Sequence, residues 1–268
     1  MGTFSAGLIQ LNSQDDVSAN IKIVEKYVRE AAGKGAKFVC TPENTFYMKE
    51  PGSAGYPDVV EGVNLCRTLA SELGIWILIG SAQILATSGK SYNRSILIND
   101  KGELAAKYDK IHLFDVTLKN GETYNESARI ESGGAAVTAD TPWGKLGMTV
   151  CYDLRFPQLF RSLAKQGAHF ITVPSAFTYT TGSAHWHALL RARAIENGCF
   201  IIAPAQCGHH PGKRRTYGHS LVVAPWGEII GEASEDKPGV TIAEINLDKV
   251  QEVRSMIPSL QHDRDFAV

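Results

Sequence analysis

Between residues 3 and 40 the chain passes through a strand pattern, a helix pattern and a second strand pattern, and this spacing limits the fold more than any other feature. Residues 3–11 (TFSAGLIQL) mix β-branched and apolar side chains. Val17, Ile21, Val24, Tyr27, Val28 and Ala31 then recur at three- and four-residue steps, the period of one helix face. Gly33 and Gly35 supply a stop, and Lys37-Phe38-Val39-Cys40 reads as a short buried strand. Strand, helix, strand over so few residues is a βαβ unit, with parallel strands joined by a right-handed crossover.

The rhythm continues with a helix over Val63 to Leu73 and a buried strand from Ile75 to Gly80. It then changes. Residues 92–98, an Asn99-Asp100-Lys101-Gly102 turn and residues 103–109 predict a hairpin. Residues 44–58 and 113–134 read as long loops, and loops of that length in a globular chain usually carry function. Further on, the pattern gives a helix to Gln166 and a strand from His169 to Val173. A helix over 184–197 follows, with Trp186, Leu189, Leu190, Ala194 and Ile195 on one face. Strands are expected at 199–206, 217–224, 228–233 and 239–245, and a helical stretch after 247. No linker, repeat or low-complexity break divides residues 1–268, so the chain reads as one α/β domain with a mixed sheet.

Composition excludes several classes of function. A formal net charge of −1 leaves no electrostatic footprint for nucleic acid or an acidic membrane surface. No window approaches the 18 or so apolar residues that a membrane span needs, and the N-terminus lacks the basic and apolar segments of a signal peptide. The cysteines are odd in number and irregularly spaced: Cys40, Cys66, Cys151, Cys199 and Cys207. They predict reduced thiols in a cytoplasmic protein rather than a disulfide framework.

One of those cysteines stands apart. An apolar run, Leu146 to Val150, leads into Cys151-Tyr152-Asp153-Leu154-Arg155-Phe156, and Pro157 opens a helix through Leu159, Phe160, Leu163 and Ala164. Cys151 therefore stands at a strand-to-helix elbow, projected by the turn, with a helix N-terminus favouring its thiolate. The alternative is a small buried hydrophobe.

Thiol attack on an amide carbon needs a proton acceptor, a group to hold the oxyanion and a proton donor for the leaving nitrogen. Glu43, just past a strand and behind Pro42, and Lys110, at the end of 103–109, occupy places equivalent to that of Cys151. In open α/β sheets, reactive groups gather beyond the carboxyl ends of strands. Singly, Glu43 reads as a solvated loop carboxylate and Lys110 as a surface charge. His112 is an alternative base, but that choice leaves Glu43 without a role. Cys207-Gly208-His209-His210, or His185 with His187, would be the places to look for a metal. Neither has zinc-like spacing, and positions 185 and 187 do not share a helix face. No metal and no cofactor is expected.

Three segments carry a resemblance: FVCTPEN around Glu43, KYDKIHLFDV around Lys110 and GMTVCYDLRFPQLFRSLAKQGA around Cys151. Together and in this order they are similar to the three signatures of the nitrilase superfamily of carbon–nitrogen hydrolases. The resemblance implies a four-layer α-β-β-α sandwich with two mixed sheets, a Glu43–Lys110–Cys151 triad and a homodimer or higher homo-oligomer. It also implies Glu126 as a second glutamate near the lysine, a residue that otherwise reads as ordinary loop. In the implied reaction Glu43 takes the thiol proton, Lys110 and the Tyr152 N–H hold the oxyanion, and a thioester forms and is hydrolysed. The substrate is a small-molecule amide.

Arg155, four residues after the cysteine, offers a fork for a substrate carboxylate, or else pairs with Asp153. Residues 178–185 read as a loop entering the next helix. There Phe177 offers an aromatic wall, and Thr178 and His185 offer polar groups, unless the loop only caps the helix. The strings PSAFTYTTGSAHWHALLRARAIE, AQCGHHPGKRRTYGHS and PWGEII resemble the Nit-type branch, which acts on ω-amides of short 2-oxo acids or on deaminated glutathione. The basic insert 208–215 resembles the second group more, and would meet extra carboxylates or remain a solvated loop. An N-carbamoyl amino acid hydrolase and a catalytically idle scaffold are the other readings.

Overall fold

Each half of the chain builds a sheet around parallel strands. The computed structural model describes residues 2–49, 55–118, 121–264 and 267. In chain order the first half contains β1 (Thr3–Gln10), α1 (Val17–Gly33), β2 (Phe38–Cys40), α2 (Val60–Leu73), β3 (Trp76–Leu85), β4 (Ser91–Ile98) and β5 (Leu104–Asp109). Two short strands, β6 (Asp115–Thr117) and β7 (Thr123–Asn125), precede β8 (Val137–Asp140), β9 (Lys145–Met148), α3 (Pro157–Lys165), β10 (Phe170–Thr172) and α4 (Tyr179–Asn197). The rest comprises β11 (Phe200–Ala203), β12 (Cys207–His209), β13 (Arg215–Tyr217), β14 (Leu221–Val223), β15 (Ile229–Glu232), β16 (Gly239–Asn246) and α5 (Asp248–Met256).

The first sheet runs β16-β1-β2-β3-β4-β5, with β1, β2 and β3 parallel and the flanking strands antiparallel. The second runs β15-β14-β11-β10-β9-β8, again with three parallel strands, β9, β10 and β11, at its centre. Period-two alternation decides what each face touches. On the first sheet Ile9, Val39, Ile77, Ile79, Ile96 and Ile98 point at α1 and α2 and join Ile21, Val24, Val28, Leu69 and Ala70. The intervening Phe4, Leu8, Phe38, Cys40, Leu78 and Leu97 face the second sheet and meet Leu146, Met148 and Phe170. Leu159, Phe160, Leu163, Trp186 and Leu190 of α3 and α4 cover the outer side of that sheet. The layers are therefore α-β-β-α, with two mixed sheets rather than the one that periodicity alone suggested.

Several boundaries differ from expectation. The loop over 113–134 contains the β6–β7 hairpin. Residues 137–140 form β8, which the pattern did not announce. Residues 199–224, expected as two strands at 199–206 and 217–224, yield four short ones, β11 to β14, including the β12–β13 hairpin. The helix expected over 184–197 starts at Tyr179, capped by Thr178, whose hydroxyl accepts the Thr181 N–H. Gly182 lets Tyr217 lie against this first turn, since a Cβ there would come within 2.4 Å of Tyr217 Cβ. Ile195, placed on one face with Trp186 and Leu190, is 52% exposed. Residues 50–54, within the expected 44–58 loop, lie outside the described residues.

Candidate active site

Glu43 and Cys151 are each the third residue beyond a parallel strand, β2 in one sheet and β9 in the other, and Lys110 directly follows β5. The sheets face each other, so these ends come together. Gly80 permits the closeness. A Cβ at this position would fall 2.0 Å from the Thr41 carbonyl oxygen, 2.5 Å from that of Pro42 and 2.6 Å from Pro174 Cβ. Only glycine lets β3 pass between the segment carrying Glu43 and the one whose Pro174 carbonyl accepts the Cys151 N–H at 3.0 Å.

The three residues form one buried network with Glu126. Lys110 Nζ donates to Glu43 Oε1 at 2.9 Å and to Glu126 at 2.8 and 3.1 Å. Glu43 also accepts from Asn93 Nδ2 and from the Ala176 N–H, both at 2.9 Å, and hydrogen-bonds the Cys151 thiol. Asn93 Nδ2 reaches Glu126 as well, at 3.0 Å. Burial alone would push the Glu43 carboxyl up. The Lys110 charge and the bonds from Lys110 and Cys151 outweigh it and hold the carboxyl below its ordinary range. Burial works against the Lys110 ammonium, but Glu126 and Glu43 outweigh it and hold its pKa well above the ordinary lysine value.

The thiol goes the other way from expectation. Burial, then the neighbouring Glu43 charge, raises its pKa, and Lys110 only partly offsets them. No long helix begins at Cys151: a five-residue 3-10 turn, Cys151–Arg155, separates it from α3. The resting site thus holds a neutral thiol against an ionised carboxylate. The elbow itself is as expected. Cys151 has φ +49, a left-handed conformation rare in residues other than glycine. Asp153 fixes it by accepting from the Val150 N–H at 2.8 Å, Tyr108 Oη at 2.7 Å, and the His112 N–H at 3.1 Å.

His112 is occupied with that same carboxylate. Its Nδ1 lies 2.7 Å from Asp153 Oδ1 and its ring stacks on Phe156 at 3.5 Å, so that nitrogen is committed to Asp153. The metal readings also separate. His185 is exposed, and its Nδ1 lies 3.3 Å from an Arg155 nitrogen. His210 is held between the Ser13 carbonyl and Thr216 Oγ1, 2.8 and 2.7 Å away. His187 instead meets His219 and Glu232, a cluster outside the cavity.

A cavity of about 360 Å³ opens on the network. Glu43, Lys110, Glu126, Cys151, Tyr152, Phe177 and Thr178 line it, as do Tyr47 and Met48. Arg155 and His185 do not. The Arg155 guanidinium lies 5.3 Å from the Phe177 ring, behind the wall, and the four bonds that fill Asp153 include none from Arg155. The cavity also holds residues that sequence reasoning passed over. Asn93 is a buried polar residue on β4, and among Ser91, Tyr92, Arg94 and Ser95 nothing in the sequence set it apart. Arg214 comes from the basic insert, which the sequence marked only as a whole.

A glutamate, an ammonium and a thiol are thus brought together at the ends of two facing sheets, the set that the sequence resemblance to carbon–nitrogen hydrolases implied. Comparison with known proteins agrees: residues 5–255 match the carbon–nitrogen hydrolase family, and the chain belongs to it. It is 40% identical to the deaminated glutathione amidase of a Synechocystis species over 98% of both chains. It is 40% identical to the human protein of that name, over 95% of this chain and 80% of the other. Among solved structures, Saccharomyces cerevisiae Nit3, a member of branch 10 of the nitrilase superfamily, superposes with a TM-score of 0.85. Identity there is 30%, over 96% of this chain and 94% of that one.

Proposed function

We propose that this protein hydrolyses the linear amide of a small, carboxylate-bearing substrate of the deaminated glutathione type through a thioester on Cys151. The observation that carries the reading is the Cys151 thiol hydrogen-bonded to an ionised Glu43 that is itself braced by Lys110, Asn93 and the Ala176 N–H. As substrate enters, Glu43 accepts the thiol proton while sulfur bonds to the amide carbon. The electron pair of the carbonyl moves to oxygen, where Lys110, releasing one of its two bonds to Glu126, and the Tyr152 N–H stabilise it. The oxyanion collapses, the C–N bond breaks, and the nitrogen leaves with the proton from Glu43. Water then loses a proton to Glu43 and attacks the thioester. The acid departs and the proton returns to sulfur. Glu126 keeps Lys110 charged throughout.

Purified protein incubated with deaminated glutathione, 2-oxoglutaramate, an N-carbamoyl amino acid and a simple nitrile should release amine or ammonia from the first of these. Cys151→Ala, still folded, should release none. Turnover by that variant would remove Cys151 from the chemistry, and activity confined to the carbamoyl compound would replace the substrate class. The exposed Ile195 and Trp226, each 52% accessible, support a homodimer, which light scattering would test. The five unpaired cysteines support a cytoplasmic location.

A further inference from the structure

The basic insert resolves into two arginines with different surroundings. Arg215 lies over the Tyr179 ring at 3.8 Å and pairs with Glu235. Arg214 turns inward and lines the cavity. Its Nη2 donates to the Ala176 carbonyl at 3.0 Å, and its guanidinium carbon lies 5.7 Å from the centre of the Tyr124 ring. Its Nε is buried and has no acceptor. Ala176 is also the residue whose N–H holds Glu43, so the guanidinium sits one residue's width from the catalytic carboxylate, close enough to act on its charge.

A buried guanidinium N–H without an acceptor is costly, and the two glutamates of the cavity are already committed to Lys110. The hairpin that delivers Arg214 is held firmly. The His210 N–H donates to the Arg214 carbonyl at 2.9 Å, and the His210 ring bridges Ser13 and Thr216. A fork fixed on one side by a carbonyl, backed by an aromatic ring and left with an unsatisfied donor matches a carboxylate.

We infer that Arg214 is the carboxylate-binding residue of the substrate pocket, receiving an acid group that lies beyond the scissile amide. Arg155, the residue the sequence suggested for this, stays behind the cavity wall. The inference rests on the proposed amidase reading for its substrate, but not for its ligand chemistry.

Two measurements test it. The first compares kcat/KM for deaminated glutathione and for its dimethyl ester in wild type, Arg214→Gln and Arg214→Lys. The acid-over-ester preference should fall about 10- to 100-fold in Arg214→Gln and recover in part in Arg214→Lys. Equal losses on acid and ester would reduce Arg214 to a prop for the Ala176 carbonyl and overturn the assignment. The second titrates glutarate calorimetrically into Cys151→Ala with and without Arg214→Gln. Binding should be seen only where Arg214 is intact. Binding unaffected by the substitution, or no binding to either variant, would likewise overturn the subsite. If wild type turns over no amide, the amidase reading falls while the glutarate titration still decides the role of Arg214.

Discussion

Glu43 and Asp153 are both buried carboxylates, 3% and 0% exposed, on segments that leave facing sheets. Each is filled by four hydrogen bonds. Those of Glu43 come from a lysine, an amide side chain, a backbone N–H and a thiol. Those of Asp153 come from a tyrosine, two backbone N–H groups and an imidazole. Bonding alone does not separate them. What differs is that Glu43 lines the cavity and holds a partner that gives up a proton in the proposed reaction. Asp153 is sealed in and holds the backbone of the elbow. A satisfied carboxylate is part of the architecture unless one of its partners is a reactant.

Removing the charge should separate the two most sharply. Glu43→Gln keeps the shape and should lower kcat/KM by about 10³- to 10⁴-fold, because in the proposed reaction one group serves as both base and acid. Its melting temperature should stay close to wild type, since Lys110 retains Glu126. A Glu43→Gln enzyme with near-normal turnover would end the distinction and return His112 to consideration.

The next effect belongs to Lys110. Burial raises the Glu43 carboxyl and the ammonium is the chief influence lowering it. In Lys110→Met burial is opposed only by Cys151 and Arg214, and Glu43 takes up its proton at higher pH. The acid limb of Cys151 alkylation by iodoacetamide should therefore move up by at least about one pH unit. In wild type that limb should lie below the ordinary carboxylate range. A limb that does not move would mean that Lys110 does not set the state of Glu43.

Much of this site was legible because chemistry-bearing residues stood at the ends of apolar runs: Glu43 after Phe38–Cys40, Cys151 after Leu146–Val150. Glu126 was legible only through family resemblance, since its loop has no period and Lys110 reaches it across 16 positions. Asn93 was hidden by the strand that carries it, and Arg214 by a hairpin whose inward arginine is chosen only when Ala176 and Tyr124 are in place. In the fold, the parallel strands announced themselves through continuous apolar runs. Strand β8 is short and partly exposed, and the Thr- and Gly-rich start of α4 has weak helix propensity, so tertiary contacts decide both.

Asp153→Asn should show the opposite balance to Glu43→Gln. An amide cannot accept from four donors, and its NH₂ would face one pair of them. The expected cost is about 3 kcal/mol, a drop of roughly 6–12 °C in melting temperature for a chain of this size. Turnover should fall less than in Glu43→Gln. Unchanged melting with lost turnover would place Asp153 among the reacting groups.

The smallest effect should come from Arg155. Its guanidinium touches the cavity only through the Phe177 and Tyr152 rings, 5.3 and 6.0 Å away, and a cation over an aromatic at a half-exposed site contributes about 0.5–1 kcal/mol. Arg155→Ala should therefore reduce kcat/KM on deaminated glutathione by about two- to fivefold, with a slightly smaller loss on the dimethyl ester. A loss of acid preference as large as that expected for Arg214→Gln would mean that Arg155 swings past Phe177 to meet the substrate. The carboxylate would then be shared between the arginine after the nucleophile and the arginine of the basic insert.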